Sequence, residues 1–324
     1  MNILSLFNGI SGLHLACDRA GLKVDNCYYS EIDKYANQVT QKNYPDDIAL
    51  GDVTKWREWN IDWSSIDLVG AGFPCQAWSV AGQQQGDKDE RGMLFWTTLE
   101  IIKHVLYFNP KAKFLMENVK MKKDFEEYIT HHTTQALGYV EKTLINSALV
   151  SAQNRNRYYW TNFEVTQPRD KGILLKDILE DGVSIEQRPR GKNNGGIHAE
   201  KSPTLTSSSW EHNHSVVCRP CERIKDGNQG HIATATDIKG MDCIKRVYGQ
   251  DGKAPTLTTM GGGHREPKVA VSDITYRKLT PTECARLQTF PDGWCESVVS
   301  KTQSYKAYGN SWTIDVIAHI LKGL

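Results

Sequence analysis

The sequence predicts an α/β protein, a mostly parallel sheet flanked by helices with a smaller loop-rich domain late in the chain. Two observations carry that expectation. Over the first 165 residues short apolar strands alternate with longer amphipathic stretches, the pattern of parallel strands joined by helical crossovers. After Gln167-Pro168 the texture turns to Gly, Ser, Asn and Pro with few long apolar runs. The chain has 324 residues, enough for one large domain or two ordinary ones. Its 39 Lys plus Arg against 38 Asp plus Glu, 39% apolar residues and nine scattered Trp exclude a collagen-like, coiled-coil or disordered chain.

The elements follow in order. Residues 2–7 read as a buried strand, 12–20 as a helix, 23–30 as the next strand and 32–43 as the next helix. Residues 66–71, with polar Asp67 near the start, read as a central strand. Helix spacing returns at 95–108 and 124–137, with a strand at 113–117 between them. Strands at 139–149 and 157–162 complete a sheet of about seven. Thr280-Pro281-Thr282-Glu283 is a helix cap opening a helix at 280–287, and the chain ends in an apolar helix at 312–321. In the middle stretch Lys201-Ser202-Pro203-Thr204-Leu205-Thr206 recurs as Lys253-Ala254-Pro255-Thr256-Leu257-Thr258. The echo predicts two similarly built strand-turn units on one binding face. A mild basic excess over residues 166–278, with half of the ten histidines, suits a polyanion partner.

No apolar run approaches the ~18 residues a membrane helix needs, and Met1-Asn2-Ile3-Leu4-Ser5-Leu6 lacks a signal pattern. A cytoplasmic location with no membrane partner is therefore expected. The eight cysteines are spread thinly, so reduced thiols are the default. Cys218-Arg219-Pro220-Cys221 resembles half a zinc site, but a second Cys-X-X-Cys is missing and no metal is expected.

Chemistry gathers at the predicted strand ends. The first strand runs into Phe7-Asn8-Gly9-Ile10-Ser11-Gly12, where small residues let backbone N–H groups approach a ligand at a helix N-terminus. Glu31, at the end of the second strand, suits a ribose hydroxyl, and Asp52 an adenine amine. A nucleotide-type cofactor fits these residues; nicotinamide and S-adenosylmethionine are not distinguished by them. Gly72-Phe73-Pro74-Cys75-Gln76-Ala77-Trp78-Ser79 follows the strongest strand and presents a thiol from a stiff turn at the carboxyl end of the sheet. Such a thiolate is a nucleophile. Glu117 stands at another strand end, and Arg155 and Arg157, on alternate residues of Gln153-Asn154-Arg155-Asn156-Arg157, share a face if that segment is a strand.

In this order the residues resemble the DNA cytosine-C5 methyltransferase family, of the compact prokaryotic or phage type. The resemblance runs through the Phe7–Gly9 turn, Glu31, Asp52, Pro74-Cys75-Gln76, Glu117-Asn118-Val119, the Gln153–Arg157 segment, Arg277-Lys278-Leu279-Thr280 with Glu283, Arg286-Leu287-Gln288-Thr289-Phe290-Pro291 and Gly309-Asn310-Ser311. Asn8 and Ser11 depart from the common turn. The resemblance implies a Rossmann-like S-adenosylmethionine-dependent methyltransferase domain over residues 1–168, a target-recognition domain over 169–298 and a C-terminal segment, 299–324, returning to the catalytic domain. It implies S-adenosyl-L-methionine as cofactor, held by Phe7, Gly9, Ile10, Gly12, Glu31, Ile32, Asp52, Val53, Pro74, Asn310 and Ser311.

The same resemblance implies methyl transfer to C5 of cytosine in double-stranded DNA. Cys75 adds to C6 of a flipped base, Glu117 donates to N3 from a carboxyl raised by burial, Arg157 binds O2, and Arg155 shapes the pocket. Residues 80–94 are expected to form a loop closing over the base. Gln76, Ser79, Ser209, Trp210, Thr256, Leu257, His264 and Arg265 are the expected DNA contacts. A monomer is expected, and the resemblance implies either a partner of a separate restriction endonuclease or a solitary modifier. A tRNA cytosine methyltransferase, or a catalytically silent DNA-binding relative, is the alternative.

Overall fold

The computed structural model describes residues 1–74, 90–180, 185–187, 196–198, 214–216, 219–224, 231–260, 263–272 and 275–324. The main sheet has seven strands: β1 (Asn2–Leu6), β2 (Asn26–Ser30), β3 (Ile48–Gly51), β4 (Ile66–Ala71), β5 (Lys113–Val119), β6 (Glu141–Asn146) and β7 (Asn156–Thr161). Their order is β3-β2-β1-β4-β5-β7-β6, parallel except for β7, which runs antiparallel to β5 and β6. The helices are α1 (Gly12–Ala20), α2 (Lys34–Asn43), α3 (Glu90–Phe108) and α4 (Lys123–Leu137), then α5 (Asp242–Lys245), α6 (Pro281–Leu287), α7 (Lys301–Asn310) and α8 (Ile314–Leu321).

β1 and β4 are central because they are mostly apolar and almost wholly buried. Asp67, the exposed residue of β4, accepts the Asn2 N–H at 2.8 Å, so the acid that interrupts β4 pins the start of β1. One core cluster gathers Leu4, Leu6, Val69, Phe95, Ile102, Phe114 and Trp160; another joins Ile3, Leu13, Leu115, Leu287, Ile314 and Ile317. α8 closes the second cluster against α1, and Asp315 pairs with Arg19 at 2.5 Å across that contact. The predicted cap of α6 is present. The Thr280 hydroxyl accepts the Glu283 N–H, the Glu283 carboxylate accepts the Thr280 N–H, and Arg277 meets the same carboxylate at 2.7 and 2.8 Å. Such a box contributes about 1 kcal/mol before the ion pair is counted.

Beyond the sheet lie a small sheet of β8 (Ile185–Gln187), β9 (Gly196–His198) and β10 (His214–Val216), and a closed barrel. The barrel strands are β11 (Arg219–Arg223), β12 (His231–Ala235), β13 (Arg246–Tyr248), β14 (Lys268–Ser272) and β15 (Thr275–Lys278). No helix among the described residues is long and apolar enough to cross a membrane.

Among the elements that the periodicity did not predict, two bear on the cavity. β3 is a four-residue edge strand, mostly exposed, with no apolar alternation. α7 is largely polar and contains Gly309 near its end. The expected 139–149 strand divides into β6 and a 3-10 turn over Ser147–Leu149, where Asn146 Oδ1 accepts the Ala148 N–H and ends the ladder.

Candidate active site

The turn after β1 has left-handed backbone at Phe7 (φ 56°), Gly9 (φ 57°) and Ser11 (φ 67°). Asn8 and Ser11, the two departures from the family turn, explain how it holds. The Asn8 amide donates to the Thr40 hydroxyl at 3.1 Å, and the Ser11 hydroxyl donates to the same oxygen at 2.9 Å, tying the turn to α2. No atom lies within 4 Å of where a Cβ on Gly9 would stand, so bare backbone faces open space.

Glu31 sits at the end of β2 and organises what surrounds it. One carboxylate oxygen accepts the Gly9 N–H at 2.8 Å; the other accepts the N–H groups of Ile32 and Asp33, both at 2.8 Å. Asp33 caps α2 through the Tyr35 N–H and pairs with Lys306 of α7 at 2.6 Å. Asp52, at the end of β3, spends Oδ1 on the Thr54 N–H and hydroxyl.

On the far side, β4 leads into Phe73 and Pro74. The buried Asn118 amide donates to the Phe73 carbonyl at 3.1 Å, fixing the stem of the Pro74 turn to the end of β5. Glu117 Oε1 meets Arg157 Nε at 2.9 Å, both side chains nearly buried, and Arg157 Nη1 donates to the Asn156 carbonyl. β7 begins at Asn156, so Arg155 precedes the strand rather than alternating within it. Arg155 nevertheless reaches the same cavity, and its guanidinium donates to the carbonyls of Leu257 at 3.1 Å, Ser311 at 2.9 Å and Gly309 at 3.5 Å.

One cavity of about 530 Å³ joins these parts. Its wall includes Phe7, Gly9, Ile10, Glu31, Ile32, Asp52, Val53, Pro74, Glu117, Arg155, Arg157 and Asn310. The volume suits a small-molecule site. The donor set fits S-adenosylmethionine: carboxylates at two strand ends, an open backbone turn at Gly9, and apolar Phe7 and Val53 beside them. α7 adds Gln303, Lys306 and Ala307, which sequence reasoning missed; the signal was Ser300, whose hydroxyl caps the helix at the Gln303 N–H.

Several expected contacts stand elsewhere. Gly12 is off the cavity wall because it packs flush against α8, with Ile314 Cδ1 3.4 Å from where its Cβ would be. Ser311 is also off the wall, its carbonyl held by Arg155 and Gln288. Leu257 is corrected from a DNA contact to a core residue. It is 2% exposed, because Ala254 hydrogen-bonds to Ala152 and Asn154 and carries the segment against the stretch that leads into β7. Thr256 donates its hydroxyl to the Asn154 carbonyl. The Lys253–Thr258 copy of the repeat therefore docks rather than standing as a free binding face, with Lys253 donating to the carbonyls of Ala148, Ser151 and Ile173. His264 and Arg265 are exposed. Cys75, Gln76, Ser79, Ser209, Trp210, Cys218, the 201–206 copy and residues 80–89 of the expected loop lie outside the described residues.

Sheet order and a cavity at the carboxyl ends of the strands define an α/β methyltransferase fold. The chain belongs to the C-5 cytosine-specific DNA methylase family, which it matches over residues 1–324. It is 30% identical over 344 residues to the type II methyltransferase M.HhaI of Haemophilus parahaemolyticus, across 99% of this chain and 93% of that protein. It is 31% identical over 333 residues to the type II methyltransferase M.NlaX of Neisseria lactamica, across 98% and 94%. The structure of the Entamoeba histolytica methyltransferase EhMeth shares the fold, with a TM-score of 0.64 at 15% identity over 99% of this chain and 96% of that one.

Proposed function

We propose that the protein transfers a methyl group from S-adenosylmethionine to C5 of a cytosine flipped out of duplex DNA, with Cys75 as nucleophile. One observation carries this reading: a single cavity joins Gly9, Glu31 and Asp52 to Pro74, Glu117 and Arg157, which supports a cofactor and a reacting base side by side. Phe7 and Val53 cover the adenine, Asp52 takes its amine, Glu31 takes the ribose hydroxyls and Asn310 closes the methionine end.

When bound, S-adenosylmethionine supplies an electrophilic methyl on a sulfonium. Cytosine C5 is a poor nucleophile, so the chain must activate it. The Cys75 thiolate forms a bond to C6, electron density moves towards N3 and O2, and C5 becomes enamine-like and takes the methyl as the methyl–sulfonium bond breaks and leaves its electron pair on sulfur. A base then removes the C5 proton, and the C6–S bond breaks to return the thiolate. Arg157 spends Nε on Glu117 and Nη1 on a carbonyl, which leaves Nη2 for O2. Glu117 meets the N3 edge. Donors aimed at developing charge are each worth about 10²- to 10³-fold in rate. Asn118 acts on the nucleophile indirectly, through the Phe73 carbonyl.

Rotating the base out costs a few kcal/mol of unstacking. We assign that cost to DNA contacts from the 169–298 segment, including Thr256, His264 and Arg265, and from Gln76, Ser79, Ser209 and Trp210. The type II designation of the relatives supports a place opposite an endonuclease that reads the same site.

The test incubates the full chain with S-adenosylmethionine carrying a labelled methyl and, separately, duplex DNA and tRNA. Label at cytosine C5 of DNA is expected; label in tRNA alone contradicts the reading.

A further inference from the structure

The turn that carries His264 and Arg265 is held in an unfavourable shape. Its described backbone is left-handed at Met260 (φ 46°), Gly263 (φ 69°) and His264 (φ 62°), and two of these residues carry side chains. Such conformations persist only where the surroundings over-determine them. Both ends of the turn are anchored. At the leading end the Leu257 carbonyl accepts from Arg155, and the Thr258 carbonyl lies only 1.9 Å from where a Cβ on Gly309 would stand, beside Asn310 of the cavity wall. At the trailing end stands Lys268, the first residue of β14, 2% exposed. Its ammonium donates to the His264 carbonyl at 2.7 Å and to the Glu266 carbonyl at 3.0 Å. The Glu266 carboxylate pairs with Lys278 at 3.0 Å, and Lys278 lies opposite Lys268 in the barrel register.

An apolar residue would fill the first position of β14 with no desolvation cost, whereas a buried ammonium has to be matched by acceptors. Two such acceptors here, the His264 and Glu266 carbonyls, belong to the turn, so the lysine fixes the turn as well as the strand. Arg265, exposed at the tip, has the donor fork that matches the acceptor pair on a guanine edge.

We infer that Lys268 is a positioning residue for DNA sequence recognition: it holds the His264–Arg265 tip at a set distance from the catalytic cavity. The inference rests on the methyltransferase reading above and adds a determinant of specificity to it. Because Lys268 is not on the cavity wall, its loss should move recognition and not chemistry.

The experiment uses the full chain with Lys268→Met and measures KM for duplex DNA, kcat, cofactor affinity and the methylated sites on a plasmid by bisulfite sequencing. The expected result is a DNA KM raised about ten-fold or more, the loss of a good base contact, with kcat and cofactor affinity near wild type. Methylation should spread to sites differing by one base pair, and adding Arg265→Ala should cost little more. A wild-type DNA KM and site spectrum overturns the inference, and so does a loss of kcat and cofactor affinity in proportion to KM. If Lys268→Met does not fold, Lys268→Gln, which keeps a donor but loses the charge and the reach, replaces it; a smaller KM rise with relaxed sites supports the inference and wild-type values overturn it. Wild-type protein runs alongside. If it methylates no DNA, the proposed function falls with the inference; if it does, an unaltered variant overturns the role of Lys268 alone.

Discussion

Glu117 and Arg157 form an ion pair at 2.9 Å across the junction where the sheet changes from parallel β5 to antiparallel β7. The reversal is what makes the pair possible. A carboxylate from the end of one strand and a guanidinium from the start of its antiparallel neighbour arrive at the same edge, beside Pro74. Each orients the other before any base enters, which lowers the ordering cost when it does. Glu117→Gln should cut methyl transfer about 10²- to 10⁴-fold, the usual worth of a positioned acid–base group, while cofactor binding changes little. Single-turnover rates and calorimetric titration of the cofactor check this. A variant with near wild-type rate would remove Glu117 from the mechanism.

Gly309 is where α7 meets the segment after Leu257. A Cβ there would stand 1.9 Å from the Thr258 carbonyl oxygen and 2.5 Å from its carbon, both backbone atoms. Neither yields without moving the docked segment. Gly309→Ala should therefore cost at least the 1–3 kcal/mol typical of overpacking, read as a lower unfolding midpoint, with cofactor affinity reduced because Asn310 moves too. Wild-type stability would contradict the packing.

Arg155 lies just ahead of β7 and collects carbonyls from segments more than 100 residues away in sequence: Leu257 at 102 residues, Gly309 at 154 and Ser311 at 156. In this geometry its guanidinium ties those segments together at the cavity wall. Arg155→Met should destabilise the fold by about 3 kcal/mol, since buried acceptors lose charged donors. Denaturant unfolding measures that. A variant of full stability with abolished rate would instead place Arg155 among the groups that touch the base.

Much of this was legible in the sequence, for identifiable reasons. β1, β4 and α1 match their expected ranges closely because continuous apolar runs end at a turn or a helix start. Glu31, Asp52, Pro74 and Glu117 line one cavity because the carboxyl ends of the parallel strands share an edge, and Arg157 joins them from the start of antiparallel β7. What stayed hidden depends on tertiary partners. β3 is an exposed edge strand, and α7 is a polar helix whose value lies in the Lys306–Asp33 bridge. The burial of Leu257 is decided by Ala152, Asn154 and Arg155, which no local pattern near Leu257 announces. Gly12 reads as part of the ligand turn, but its missing side chain serves α8.

The Asp33–Lys306 bridge predicts an acid dependence. Burial raises the Asp33 carboxyl, but the Lys306 ammonium and the N–H groups of Tyr35 and Ala36 outweigh it and hold the group below its ordinary value. The folded state thus binds this proton more weakly than the unfolded chain. Its contribution is complete above the ordinary aspartate pKa of about 3.9 and is lost as pH falls through the lower folded value. The gap in unfolding midpoint between wild type and Asp33→Asn should be widest near neutral pH and close on the acid side. A gap that does not change with pH would contradict the bridge.

The central claim is a covalent bond between Cys75 and cytosine C6, and trapping tests it most directly. Duplex DNA carrying 5-fluorocytosine at the target gives C5 no proton to lose, so the adduct persists once the methyl has moved. Wild type and Cys243→Ala, whose thiol is exposed, should form a complex that survives denaturing electrophoresis in the presence of cofactor, and Cys75→Ala should form none. Methylation of ordinary DNA by Cys75→Ala at the wild-type rate, or a denaturation-stable complex in that variant, would contradict the account.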